Sequence, residues 1–355
     1  MRRYVACGVV GLGLILAAGG ESVAQDTSQE DATIDTIRQL GQIPASDQRR
    51  IADWIQAQMD LLAKTPPAER SAAAIKFRSR FREQSSNPGN SAAFKQQFPA
   101  QTAAIAVTQF GNSSLDALVS RALGRVLLDM AGPETLPALL AGLKSKDEAT
   151  RYLCAGGIAS QRTAIAADKE RVDQTVRAVR EAGLAETSPI VLSRLYVALS
   201  VPANQAAVFD TFMAIFENRL KHRRGPAVIA DGAEIDAFEF FRTPAVLNAL
   251  SPQQKEQLVR SAAVFLRMDA RRYDTPGLTF DEIDKLERMM DAVEEILTTI
   301  VGPNKGGNIR DLLAGSGYER RGDVPPQAAL WIGNAESNQQ GVLNAAPWNV
   351  PVGAP

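Results

Sequence analysis

Histidine is almost missing from this 355-residue chain, His222 being the only one, and cysteine occurs just twice. A Ser-His-Asp or Cys-His nucleophile system would therefore have to recruit His222, which stands in Leu220-Lys-His-Arg-Arg-Gly225 with Pro226 beyond. A basic turn that ends at Gly and runs into Pro has the character of a helix C-terminus, where cations complement the dipole, so capping is the expected role of His222. Histidine-based metal sites fail for want of ligands, and Cys154 reads as a lone thiol on a buried helix face, so neither a metal nor another cofactor is expected. Aromatic residues are only 6% of the chain, which argues against a sugar-binding cleft and against a β-sandwich core. The formal net charge of −1 supplies no global field toward nucleic acid or an anionic membrane, and nucleic acid is not an expected partner.

Long apolar runs are also scarce. After Arg2-Arg3 an uncharged stretch extends from Val5 to Ala18, shorter than the roughly 20 residues needed to cross a hydrocarbon core. That layout is the n- and h-region of a signal peptide, with small residues at Ser22 and Ala24, so cleavage is expected after Ala24 and no stable membrane anchor remains. Cys7 stands at the head of the apolar run rather than after it, which speaks against a lipoprotein, and the Arg2-Arg3 pair lacks the rest of a twin-arginine pattern. Processing removes Arg2, Arg3, Glu21 and Cys7, leaving a near-neutral molecule with the single thiol Cys154 and no possible intramolecular disulfide. The expected location is periplasmic or secreted, and the expected organisation is a signal peptide over 1–24, a flexible mature N-terminus over 25–45, a helical domain over 46–301 and a low-complexity tail over 302–355.

What the chain does have is helical periodicity. Leu115, Leu118, Val119, Ala122, Val126, Leu127 and Met130 follow the i, i+3, i+4, i+7 rule, Gly132-Pro133 breaks the chain, and Leu136, Leu139, Leu140 and Leu143 resume the pattern, which predicts a helical hairpin. Further helix starts are marked by Thr65 before Pro66, by Ser251-Pro252 with Gln254, and by Thr279 with Glu282 in a capping box. No run of alternating β-branched residues appears, and Val228 to Ile235, interrupted by Gly232, is the best place for an irregular excursion.

The segment Pro137-Ala-Leu-Leu-Ala-Gly-Leu-Lys-Ser-Lys-Asp147-Glu-Ala-Thr-Arg151-Tyr-Leu-Cys-Ala-Gly-Gly-Ile158-Ala resembles one HEAT repeat: a Leu-rich first helix, a short polar turn with Asp, and a second helix with an early Arg. A weaker copy, Pro189-Ile-Val-Leu-Ser-Arg194-Leu-Tyr-Val-Ala-Leu199, puts Arg194 after Arg151 at a spacing inside the roughly 40 to 47 residue period of such arrays, whereas Arg121 in Leu118-Val-Ser-Arg121 falls too close and marks an irregular terminal unit. The resemblance covers about residues 113 to 201. It implies an all-α chain built as a short HEAT-like α-solenoid of stacked hairpins, with Asp147, Arg151 and Arg194 in a polar ladder and with edges that bind macromolecules. From the residues alone, Asp147 charges a helix start and Arg151, four positions on, is placed to pair with it.

Two other features bear on partners. In Lys76-Phe-Arg-Ser-Arg-Phe-Arg82 a helix joins Phe77 and Phe81 into one stripe, flanked by Lys76 and Arg80 on one side and by Arg78 and Arg82 on the other. The stripe is a core-facing pair whose arginines reach water, or, alternatively, a contact for an anionic polymer. From Ile283 through Leu286, Met290, Val293 and Leu297 to Ile300 the apolar steps alternate between 3 and 4, a short heptad seam that packs on the stack or joins a homodimer through residues 280–300. Arg320 to Pro355 is rich in Gly, Pro, Asn and Gln and reads as a largely disordered tail, with Trp331 and Trp348 available for local docking. Gly302 to Gly307 has no preceding strand and no Gly-Lys-Ser/Thr ending, so it is no phosphate loop, and Arg321-Gly-Asp323 is read as coincidence. The functional expectation is a non-enzymatic exported scaffold that binds another protein. The alternatives are an all-helical enzyme acting on a cell-wall or polysaccharide substrate through carboxylates that no sequence rule identifies, and an anionic-polymer binder through residues 70–82.

Overall fold

The computed structural model of the chain describes residues 31–201, 205–222 and 231–352. The signal sequence, its cleavage point and the first three residues of the Val228 to Ile235 stretch lie outside the described residues. Among the described residues the fold is all-α, with no strand beyond an isolated bridge between Asn334 and Gln339. The principal helices are α1 (Ala45–Lys64), α2 (Arg70–Ser86), α3 (Ala92–Phe110), α4 (Ala117–Asp129), α5 (Leu136–Gly142) and α6 (Glu148–Ser160), followed by α7 (Arg162–Ala166), α8 (Lys169–Ala185), α9 (Pro189–Leu199) and α10 (Gln205–His222). The remainder are α11 (Ile235–Phe241), α12 (Pro244–Ala249), α13 (Pro252–Tyr273), α14 (Phe280–Val301), α15 (Ile309–Ser316) and α16 (Val324–Ile332).

Local chemistry sets the starts. The Asp116 carboxylate accepts the Leu118 N–H at 2.8 Å, Asp147 accepts that of Thr150 at 2.8 Å, and the capping boxes Ser251/Gln254 and Thr279/Glu282 both form. Thr65 differs from expectation. It ends α1, and a turn intervenes before α2 opens at Arg70, because Pro66 begins that turn rather than a helix. His222 is the last residue of α10, as the basic turn and Gly225 imply.

The helices pack in two rows. In one row α1 touches α3, α3 touches α5, and the series continues through α8, α10, α13 and α16. The other row runs α2, α4, α6, α9, α11, α14 and α15, each against the next. The pairs α1/α2, α3/α4, α5/α6, α8/α9 and α13/α14 bridge the rows as hairpins. Small residues set the closeness of this packing: Gly157 lies where an added Cβ would come within 2.6 Å of Leu139 Cδ2, and Gly183 occupies a similar place at Ile215. The scarce aromatics are concentrated inside. Trp54, Phe77, Phe81, Phe94 and Phe98 form an N-terminal cluster, and Tyr196, Phe209, Phe212, Phe216, Phe238, Phe241 and Phe265 fill the middle.

Both ends correct the sequence reading. Residues 31–37 are helical, with Ile34 and Ile37 buried beside Trp54, so this part of the N-terminal segment belongs to the core. The tail is folded as well. Ile309, Val324, Trp331, Ile332, Leu343 and Val350 are all buried in the main core. The indole of Trp331, 1% exposed, donates to Glu294 Oε1 at 2.9 Å, and the same carboxylate accepts the backbone N–H groups of Ile309 at 2.9 Å and Arg310 at 2.7 Å. Gly306 lies flat on the Trp331 ring, where any Cβ would overlap it. Arg260 and Arg267 then donate to the carbonyls of Trp348, Ile332 and Pro351. The helices of this region pack on α13 and α14 as well as on one another, and Val324, Ala328 and Ile332 form the buried face of α16.

Candidate partner-binding surface

The row containing α2, α4, α6, α9, α11 and α14 is stitched by polar contacts between neighbours. Arg78 of α2 reaches Asp129 of α4 at 2.5 Å; Arg121 of α4 reaches Asp147 at the cap of α6 at 2.6 Å; Arg151 of α6 reaches Glu186, ahead of α9, at 2.6 Å. Ser193 of α9 donates to Asp236 of α11, and Arg242, capping α11, bonds to both Asp291 and Glu295 of α14. The expected pairing of Asp147 with Arg151 is therefore replaced. Each residue reaches outward to an adjacent helix pair, Asp147 back to Arg121 and Arg151 forward to Glu186, because the carboxylate at the cap is already turned onto the N–H of Thr150.

Electrostatics follow from these partners. For Asp147, burial pushes the carboxyl upward, but the Arg121 guanidinium and the N–H and hydroxyl of Thr150 outweigh it and hold the group below the usual carboxylate range. Glu186, with a side chain 2% exposed, is lowered in the same way: burial is overcome by Arg151 and by the N–H groups of Ser188 and Thr187. Burial pushes the Cys154 thiol up to about 12, so it stays protonated and unreactive at neutral pH. Among the described residues no three His, Cys, Asp or Glu side chains converge closely enough to hold a metal ion, and no helix is long and apolar enough to cross a membrane.

The basic and aromatic stripe of α2 divides. Phe77 and Phe81 are buried with ring centroids 4.6 Å apart, Arg78 is engaged by Asp129, and Arg80 is engaged by Asp31 and by Gln58 Oε1 at 2.6 Å while lying over the Trp54 ring. Lys76 and Arg82 are exposed and, among the described residues, form no ion pair, but they stand on opposite flanks of the helix. The middle of the α14 seam faces inward: Met290, Val293 and Leu297 are 0% exposed, packed against α11 and α13 of the same chain, while Phe280 at the start of the helix is 93% exposed.

Arg194 does not sit in an Arg-to-carboxylate rung. Its guanidinium lies 5.2 Å from the centroid of the Tyr152 ring, and its Nε and Nη2 donate to the Tyr152 hydroxyl at 3.1 and 3.0 Å. It walls a cleft of 370 Å³ with Tyr152, Ile190, Asp236, Lys285 and Arg288, drawn from α6, α9, α11 and α14. A second hollow of 560 Å³ opens between the turns after α3 and α5, over Phe110 and Leu115, with Lys144 and Lys146 at its rim. Sequence reasoning named Arg194 but missed Tyr152, Lys285 and Arg288 as its neighbours. A usable signal existed at Ile190, an apolar residue beside the buried stripe of Val191, Leu192 and Leu195, which is 57% exposed. Comparison of the chain with protein-family models, with curated proteins and with solved structures gave no match.

Proposed function

We propose that the chain is a non-enzymatic exported scaffold, a short HEAT-like α-solenoid that holds another protein on the row formed by α2, α4, α6, α9, α11 and α14. The observation that carries this reading is the unbroken neighbour-to-neighbour packing of that row, spaced by the rungs Arg78–Asp129, Arg121–Asp147 and Arg151–Glu186. A stack held in this way keeps helix ends and clefts at fixed separations, which suits recognition of an extended partner without reorganisation. Apolar side chains on the same row remain in water: Ile75 on α2 is 72% exposed and Ile190 is 57% exposed. Export rests on the n- and h-region pattern over residues 1–24.

The test is site-specific photocrosslinking in the producing cell, with benzoylphenylalanine placed at Ile75 or Ile190 and, as controls on the other row, at Val107 or Leu184. A discrete protein adduct from positions 75 and 190, on a secreted chain whose N-terminus is Gln25, is the expected result. Adducts confined to positions 107 and 184, or an N-terminus that retains Met1, would overturn the proposal.

A further inference from the structure

Resting on the scaffold reading, we propose that the cleft between α6, α9, α11 and α14 is the seat for an acidic segment of the partner protein, with a carboxylate on Arg194 and an adjacent apolar side chain on Ile190. Each carboxylate of the cleft has a hydrogen-bond or ion-pair partner within the fold, and its cations have a tyrosine hydroxyl or same-helix acids as theirs. Asp236 accepts from Ser193, and Asp231, on the same wall, pairs with Arg219 at 2.7 Å. Arg194 spends Nε and Nη2 on the Tyr152 hydroxyl and, among the described residues, has no carboxylate partner and no acceptor at Nη1. Stacking on Tyr152 fixes the guanidinium in advance, so a ligand carboxylate would not have to order it.

Among the described residues Lys285 and Arg288 pair only with Asp281 at 2.5 Å and Asp284 at 4.0 Å, both one helical turn away on the same helix. Exposed pairs of that kind contribute little and exchange readily for a better-placed anion. Three cations therefore border a hollow of 370 Å³, room for two or three side chains. A polymeric anion would want a continuous basic track along the row, and the row denies it one: Arg78, Arg121, Arg151 and Arg242 are each neutralised by an acid of a neighbouring helix pair. A short acidic and apolar segment of a protein matches both the local charge and the bare Ile190.

The test uses the full mature chain and a fluorescein-labelled peptide of alternating Glu and Leu, read by fluorescence anisotropy beside its Gln-and-Leu counterpart. The expected result is saturable binding that weakens at least tenfold for Arg194→Gln, for Arg288→Gln and for the Gln peptide, is unchanged for Arg78→Gln, and is only partly recovered by Arg194→Lys, which keeps the charge but not the stacked plane. Matching helical circular dichroism of the variants shows that they are folded. The proposal is overturned by no saturable binding to the parent chain, by equal affinity for the Glu and Gln peptides, or by displacement of the peptide by a sulfated polysaccharide as readily as by unlabelled peptide. Repeating the crosslinking from position 75 in an Arg194→Gln/Arg288→Gln chain separates the two readings. An adduct that persists there removes the cleft while keeping the scaffold, and loss of adducts from position 75 in the parent chain removes the scaffold itself.

Discussion

Replacing Glu294 should loosen the C-terminal segment without disturbing the N-terminal hairpins. This carboxylate is 2% exposed and serves three N–H donors: Oε1 takes the Trp331 indole and the Ile309 backbone, each at 2.9 Å, and Oε2 takes the Arg310 backbone at 2.7 Å. In Glu294→Gln the remaining oxygen can keep the first two, but an NH2 group then confronts the Arg310 N–H, which costs about 1–3 kcal/mol. In Glu294→Ala all three donors are orphaned, two of them in buried bonds, and the loss rises to roughly 3–6 kcal/mol. Because α15 and α16 rest on α13 and α14, the loss should appear locally. Amide hydrogen exchange is the assay, with tryptophan emission as a second reading. Protection over residues 309–352 should fall by about 10- to 100-fold in Glu294→Gln, from a factor of ten per ~1.4 kcal/mol, and the emission of Trp331 should move to longer wavelength while α1 to α4 keep their protection. Unchanged exchange in that segment, or an equal loss through the whole chain, would refute the view that this carboxylate fastens it.

Three further outcomes are expected. Glu186→Gln leaves the half-buried Arg151 without its countercharge and should cost about 2–4 kcal/mol in denaturant melts. Asp147 and Glu186 have folded values below their unfolded ones, so their stabilisation is complete above the ordinary carboxylate range near pH 4 and is lost as pH falls through the lowered values. The melting temperature of the parent chain should therefore drop between about pH 5 and pH 3 more steeply than that of Glu186→Gln, and parallel curves would contradict the assignment. Met290→Lys buries a charge at a 0%-exposed position and should lower stability by more than about 3 kcal/mol with no change in the light-scattering mass of the folded fraction; a well-folded monomer arising from a dimeric parent would restore the seam as a subunit contact.

What could be read from the sequence is what depends on near neighbours. Asp147, Ser251 with Gln254 and Thr279 with Glu282 cap helices through bonds three residues long, and Val119, Ala122, Val126 and Leu127 of the Leu115 to Met130 stripe are on the buried face of α4. What escaped depends on separations that carry no period. Arg151 finds Glu186 35 residues away, Arg78 finds Asp129 at 51, and Trp331 finds Glu294 at 37, so a local rule assigned Arg151 to Asp147 and assigned the tail to solvent. The cleft escaped for the same reason, since Tyr152, Arg194, Asp236 and Arg288 meet only after the row has assembled. The two kinds of information have different consequences for function. Capping and amphipathic pattern make a hairpin, and many sequences satisfy them. The choice of long-range partner decides which arginines are consumed in holding hairpins together and which are left to meet something else. Along this row Arg78, Arg121, Arg151 and Arg242 are consumed, whereas Arg194 rests on a tyrosine hydroxyl instead of a carboxylate. A neutral partner costs the guanidinium little when a carboxylate arrives, which is why that one departure from the ladder is the place where a partner's charge has the most to gain.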